Sequence, residues 1–246
     1  LKPFLIIILA TILCDIKSNI LFKYLISIFL ISFISLLLIA QPDIGQTLLV
    51  IFCWAVLIFT SGINIYILLA IFIAGASLLT YLIIYVPRFD YIQGRIFSFF
   101  NRETGTHNFQ SDKAIESITS GGFFGKGIGE GVLKNRVPEA HTDYIISVIS
   151  EEFGVVAIML ILLLFLILIY MVFKKISFET NDKAKLILIG SISLILMQAT
   201  IHIGVNIRLF PTTGMTLPFL SYGGSSIIST SILAGIILNL TKRKIT

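Results

Sequence analysis

Apolar residues run almost unbroken through 21–40, 46–60, 65–86, 153–173 and 186–205. Each run approaches the length of about 20 residues that carries a helix across the hydrocarbon of a bilayer. Two shorter runs, 3–13 and 225–240, complete the set. The pattern predicts an all-α polytopic transmembrane bundle of about seven spans, forming one membrane domain over 1–246. The first run lacks a basic stretch followed by a small-residue cleavage site, so it reads as a truncated or tilted span rather than a signal peptide. Opening at Leu1, straight into apolar residues, the chain reads as missing its own beginning.

The one long polar interruption, 87–143, has an internal order. Ala114, Ile115 and Ile118 share a face if 111–120 is an amphipathic helix. The glycines that follow, Gly121, Gly122, Gly125, Gly127, Gly129 and Gly131, end any helix. Phe97, Phe99, Phe100, Phe109, Phe123 and Phe124 punctuate the charges, which predicts an ordered layer on the bundle rather than a solvated tail.

Composition agrees with the spans. The chain is 57% hydrophobic and 13% charged, with a mean hydropathy of +1.00, against about 25% charged in soluble domains. The net charge of +5 is accounted for by topology rather than by nucleic acid, because the short basic loops all fall on one side. Placing the C-terminal Lys242, Arg243 and Lys244 in the cytoplasm and counting back puts 206–224 outside, 174–185 with its four lysines inside, 87–143 outside, and 15–23 with its two lysines inside. The long loop holds seven basic and seven acidic residues and is locally neutral; long loops translocate regardless of charge. Cys14 and Cys53 occupy different environments and predict no disulfide.

Chemistry gathers at the outer face. Pro138-Glu139-Ala140-His141-Thr142-Asp143 puts a carboxylate, an imidazole and a hydroxyl at the mouth of the bundle. On chemistry alone Asp143 reads equally as a helix cap and as a catalyst. Glu151 lies about 80° round the helix from Asp143 and Glu152 on the opposite side, so Glu151 is the better candidate to share Asp143's cavity; the alternative leaves both glutamates among the head groups. Gly125-Lys126-Gly127 lacks the Ser or Thr and the preceding strand of a P-loop. It reads as a tight turn against the spans, or as a backbone loop able to approach a diphosphate beside Lys134 and Arg136. In 206–226, prolines and glycines break the helix, Arg208 could meet an anionic head group, and Ser221, Tyr222, Ser225 and Ser226 line a cavity or cap the last span. Asp43 reads as a cap, and His202 as a hydrogen-bond partner for a neighbouring helix. No metal-ligand spacing occurs.

Four pieces in order resemble the SEDS family (shape, elongation, division, sporulation) of cell-wall polymerases: Gln41-Pro42-Asp43-Ile44-Gly45; Ser120-Gly121-Gly122-Phe123-Phe124-Gly125-Lys126-Gly127; Pro138 to Asp143; and Pro211-Thr212-Thr213-Gly214 through Leu217-Pro218-Phe219 to Ser221-Tyr222-Gly223-Gly224-Ser225-Ser226. Asn206 followed by Pro211 and Gly214 looks more like the family's division branch than its elongation branch. His202 and Arg208 depart from the family, which often has Asn and a small residue there.

The resemblance implies a peptidoglycan glycosyltransferase of the bacterial inner membrane that polymerises lipid II onto a nascent glycan strand outside the cytoplasm. It implies a class B penicillin-binding transpeptidase and other division-complex membrane proteins as partners, with N-terminal spans missing from this chain. Asp143 matches the family's essential acid and is expected to be the base, or to bind a divalent cation (Mg or Mn). Arg88, Arg95, Lys126 and Lys134 are expected at the diphosphate, and His141, Glu151, Ser221 and Ser225 at the substrate. Two other classes fit a polytopic bundle: a lipid-linked precursor flippase, which calls for deep charges that the spans almost lack, and a non-catalytic division scaffold.

Overall fold

The computed structural model describes residues 2–15, 19–100, 106–133 and 137–242. Its regular elements among these residues are all helical: α1 (Lys2–Leu13), α2 (Ile20–Ala40), α3 (Ile44–Thr60), α4 (Ile65–Tyr85), a 3₁₀ turn (Pro87–Phe89), α5 (Asp90–Phe100), α6 (Thr106–Gly121), α7 (Ile145–Phe178), α8 (Asp182–Asn206) and α9 (Gly224–Thr241). Five of them, α2, α4, α7, α8 and α9, are long and apolar enough to cross a membrane; α1 and α3 are shorter apolar helices. These are the seven runs read from the sequence. The 34-residue α7 exceeds its predicted span because it starts eight residues earlier, at Ile145, and continues across a break at Gly154 (φ 75°, ψ −175°).

The chain forms two compact units. One comprises Leu1–Pro87, Ile169–Met197 and Ile228–Thr246. Here α1, α2 and α3 pack on one another, burying Ile6, Leu9, Leu49, Leu57 and Ile58 together with Leu188, Ile192 and Ile195 of α8. Gly190 admits the close approach, since a Cβ there would lie 2.8 Å from Ile6 Cγ2 and 3.1 Å from Leu57 Cδ2. Asp43 does cap α3, its Oδ1 accepting from Gln46 N at 2.9 Å. Cys14 and Cys53 are both free thiols.

The other unit comprises Arg88–Leu168 and Gln198–Ile227. Its apolar centre is Ile146, Ala199 and Leu217, covered by Ile118, Ile145, Ile158, Phe165 and Ile203. The predicted amphipathic helix is present as α6 but begins earlier, at Thr106, and buries Ser111 and Ser117 beside Ala114. Those serines break the apolar pattern that located it. Of the aromatics expected to form a layer on the bundle, Phe97, Phe100, Phe109, Phe123 and Phe124 are all exposed. In α5 it is Ile92 and Ser98 that turn inward.

Candidate active site

The second unit holds the candidate site residues whose positions are described, and two clusters of them lie along the first part of α7. The first is the turn preceding that helix. Glu139 takes a positive φ of 55°, so its carbonyl accepts from the amides of Thr142 (3.1 Å), Asp143 (3.1 Å) and Tyr144 (3.3 Å). Thr142 Oγ1 closes the turn by donating to Glu139 Oε2 at 3.0 Å.

Three successive carbonyls of this turn are then held by the segment after α8. Tyr222 N donates to His141 O at 2.9 Å, Ser221 Oγ to Thr142 O at 2.6 Å, and Asn206 Nδ2 to Asp143 O at 3.0 Å. Ser221 Oγ also accepts from Leu217 N at 2.8 Å, and Asn206 Nδ2 also donates to His202 O at 2.9 Å. The backbone is clamped while the carboxylate is not: among the described residues no hydrogen bond engages the side chain of Asp143. A Cβ on Gly214 would stand 3.6 Å from Asp143 Oδ2, so the carboxylate faces a stretch of backbone without a side chain. Burial, and secondarily the negative charge of Glu139, raise the Asp143 carboxyl above the ordinary aspartate range. No described amide of α7 donates to it, so the capping alternative is not what the structure shows.

The clamping segment is itself braced from α8. Gln198 Nε2 donates to Thr216 O at 2.9 Å, Thr216 Oγ1 donates to Ser226 Oγ at 2.7 Å, and His202 Nδ1 lies 2.7 Å from Met215 O. His202 was expected to bond a neighbouring helix and instead bonds this irregular segment. Gln198, His202 and Asn206 recur every four residues and are 1%, 1% and 0% exposed. That stripe of polar residues on an apolar helix was the signal for the clamp, because amides and imidazoles buried among spans are retained where they have partners.

The second cluster surrounds Glu151, which is fully buried. Its Oε1 accepts from Val132 N (2.9 Å) and Leu133 N (3.0 Å), and its Oε2 from Ser117 Oγ (3.0 Å). Lys126 Nζ lies 3.4 Å from Oε1. Glu151 was expected to share a cavity with Asp143; the structure gives it to the glycine loop, a partner arriving from far upstream that helical phase cannot reveal.

Arg95 Nη1 reaches Thr212 O at 3.5 Å, and Arg208 pairs with Asp112. Arg95, Ser98, Ser111, Arg208, Pro211 and Thr212 line one pocket. The ion pair occupies Arg208, expected to meet a head group, and leaves Arg95 as the less engaged cation. His141 and Ser225 are exposed. Lys134, Arg136 and the side chain of Arg88 lie outside the described residues.

Comparison with known proteins places these features in a wider set. A family model described as cell cycle protein, FTSW_RODA_SPOVE, matches residues 1–245. The chain is 36% identical over 223 residues to the probable peptidoglycan glycosyltransferase FtsW of Caulobacter vibrioides, covering 88% of this chain and 55% of that protein. It is 38% identical over 221 residues to the protein of the same name from Francisella salina, covering 86% and 53%. Among solved structures, one described as showing structural coordination of polymerization and crosslinking by a peptidoglycan synthase complex matches with a TM-score of 0.76 at 28% identity, covering 98% of this chain and 67% of that one. The crystal structure of Thermus thermophilus rod shape determining protein RodA matches with a TM-score of 0.63 at 29% identity, covering 98% and 62%. The chain thus spans a little over half the length of these FtsW relatives and about two thirds of the matched structures.

Proposed function

The chain belongs to the FtsW, RodA and SpoVE family of cell cycle proteins, the family to which its outer-loop motifs pointed, and on that premise we propose that it is the polymerising portion of a septal peptidoglycan glycosyltransferase. Its substrate is lipid II, its product is the lengthened glycan strand, and undecaprenyl diphosphate leaves. The observation that carries this reading is Asp143: a carboxylate on a backbone fixed at three consecutive carbonyls, with its own oxygens unengaged among the described residues.

Inverting transfer from an α-linked diphosphate to a β-1,4 linkage asks for such a group. The acceptor hydroxyl oxygen forms its bond to the anomeric carbon as the bond from that carbon to the diphosphate oxygen breaks. The diphosphate departs with the bonding electrons, and the hydroxyl proton passes to Asp143. A carboxyl whose proton affinity is raised by burial is a better proton acceptor than an ordinary aspartate. Arg95 in its pocket and Lys126 beside the glycine loop are the described cations suited to the departing diphosphate, with Arg88 and Lys134 the further candidates of the same type. His141 and Ser225 offer exposed polar groups to the sugar, whereas the hydroxyl of Ser221 and the carboxylate of Glu151 support the site by holding backbone. No group of three His, Cys, Asp or Glu side chains converges among the described residues. No step here runs through a Mg or Mn ion.

The reading extends to a division role, to an extracytoplasmic active face in the bacterial inner membrane with the C-terminus inside, and to a class B penicillin-binding transpeptidase as partner. The match to a peptidoglycan synthase complex supports that partnership. The test is polymer formation from labelled lipid II by the purified full-length protein with its transpeptidase. Wild type should yield glycan chains and Asp143→Asn should not. Movement of lipid II between leaflets without polymer would assign transport instead, and wild-type polymerisation by Asp143→Asn would remove Asp143 from the chemistry.

A further inference from the structure

The glycine loop between α6 and the Asp143 turn is built into the broken helix α7. In an unbroken helix the carbonyls of Glu151 and Glu152 would accept from Val155 and Val156. Here they accept from Lys126 N (2.9 Å) and Gly127 N (3.1 Å), while Val155 N and Val156 N donate to Gly122 O (3.0 Å) and Phe123 O (3.3 Å). The loop thus replaces the helix bonds lost at Gly154. Gly125 and Gly154 are required there: both have positive φ, and a Cβ would fall 2.1 Å from Glu152 O and 2.2 Å from Phe123 O respectively.

This exchange fixes the depth of the loop. Val155 and Val156 lie two and three residues inside the apolar stretch of α7 that begins at Phe153, about 3–5 Å along the axis. They are 40% and 52% exposed, and they open an outward-facing apolar series that continues through Met159, Leu160 and Leu163. At that same level the loop presents Phe123 at 75% and Phe124 at 86% exposure. Two residues on, Lys126 keeps more than a third of its side chain exposed, with its ammonium beside Glu151.

We propose that this loop is an interfacial membrane anchor, with Phe123 and Phe124 seated among the upper acyl chains of the leaflet at the Ile145 end of α7 and Lys126 at the level of the lipid phosphates. Lipid is the occupant that the observations favour. The aromatic pair lies level with the exposed Val155 and Val156 of a span, and a cation follows beside Glu151, nearer the start of that helix. The backbone groups of Gly122, Phe123, Lys126 and Gly127 named above are already hydrogen-bonded, which non-helical chain at that depth requires. The anchor does not depend on the catalytic reading and stands or falls separately.

Depth-dependent quenching of the full-length protein in vesicles tests it. In a background with Cys14 and Cys53 replaced by serine, along with any cysteines in the rest of the protein, an environment-sensitive fluorophore is attached at Phe124→Cys and, as a control, at the exposed Glu130→Cys. The Phe124→Cys label should emit to the blue and lose most of its intensity to lipids carrying a nitroxide high on the acyl chain, while aqueous iodide leaves it bright. The control label should respond to iodide. Quenching of the Phe124→Cys label by iodide would overturn the anchor. So would shielding from both quenchers, which would show a protein segment over the loop. If the labelled protein is not recovered folded, Phe124→Trp with brominated lipids gives the same reading: quenching beyond that of the wild-type tryptophans supports the anchor, and its absence overturns it.

Discussion

Asp143 and Glu151 are carboxylates eight positions apart around the start of one helix, and the structure treats them in opposite ways. Glu151 is fully buried and its oxygens hold two amides, a serine hydroxyl and a lysine. Asp143 is partly buried, has its backbone carbonyl held by Asn206, and keeps its oxygens out of every described hydrogen bond. A buried acid whose lone pairs are satisfied organises chain. One whose main chain is fixed and whose side chain is uncommitted is available for chemistry.

Exchanging the two roles by mutation is the largest test of this contrast. Asp143→Asn should lower lipid II polymerisation by about 10²–10⁴-fold without lowering thermal stability in detergent. The sign follows from the raised carboxyl: its stabilising contribution is complete below the unfolded aspartate range and is lost as pH rises through the folded value, so at neutral pH the ionised group opposes folding. Glu151→Ala should instead destabilise by about 1–3 kcal/mol, because it takes the acceptor from the amides of Val132 and Leu133 and from the buried hydroxyl of Ser117. A Glu151→Ala protein of unchanged stability that fails only to polymerise would erase the distinction.

Glycines near each acid sharpen it further. Gly125→Ala should destabilise by about 3 kcal/mol or more, combining an unfavourable φ with collision against main chain. Gly214→Ala also has a positive φ, at 67°, but meets only Asp143 Oδ2, at 3.6 Å. It should cost about 1–2 kcal/mol of stability and a larger share of activity, read by comparing polymerisation with melting temperature.

Asn206→Ala releases the carbonyl of Asp143. We expect a loss of about 10-fold in kcat, with KM held, corresponding to a net hydrogen-bond contribution of about 1.4 kcal/mol. A change confined to KM would make Asn206 a substrate contact. The smallest effect belongs to Glu139→Gln. Removing its negative charge takes away the lesser of two influences that hold the proton on Asp143, so the acid limb of the pH–rate profile should move to lower pH, with most of the elevation remaining.

The helices and the acids differ in how far the sequence disclosed them. Spans are local, so runs of apolar residues gave all seven apolar helices, and the Pro138–Asp143 stretch named the acid at the mouth. Glu151 was misplaced because its surroundings come from 117–133, and helical phase sees only neighbours on the same helix. The clamp on Asp143 was illegible for a different reason. Its acceptors are backbone carbonyls, which leave no mark in the choice of side chain; only the four-residue spacing of Gln198, His202 and Asn206 hinted at it. Arg208 looked free as a lone cation in a loop, and Asp112, which pairs with it, lies in another loop helix.

The exchange of bonds between the glycine loop and α7 also constrains how the protein is assembled. Without residues 122–127, the break at Gly154 would leave two carbonyls and two amides without partners, at several kcal/mol each in hydrocarbon. The loop is translated before α7 and has to be delivered to the side of the membrane where α7 begins. Docking of the loop and breaking of α7 are therefore a single event in biogenesis, because α7 closes its own bonds as a continuous helix until the loop supplies the substitutes.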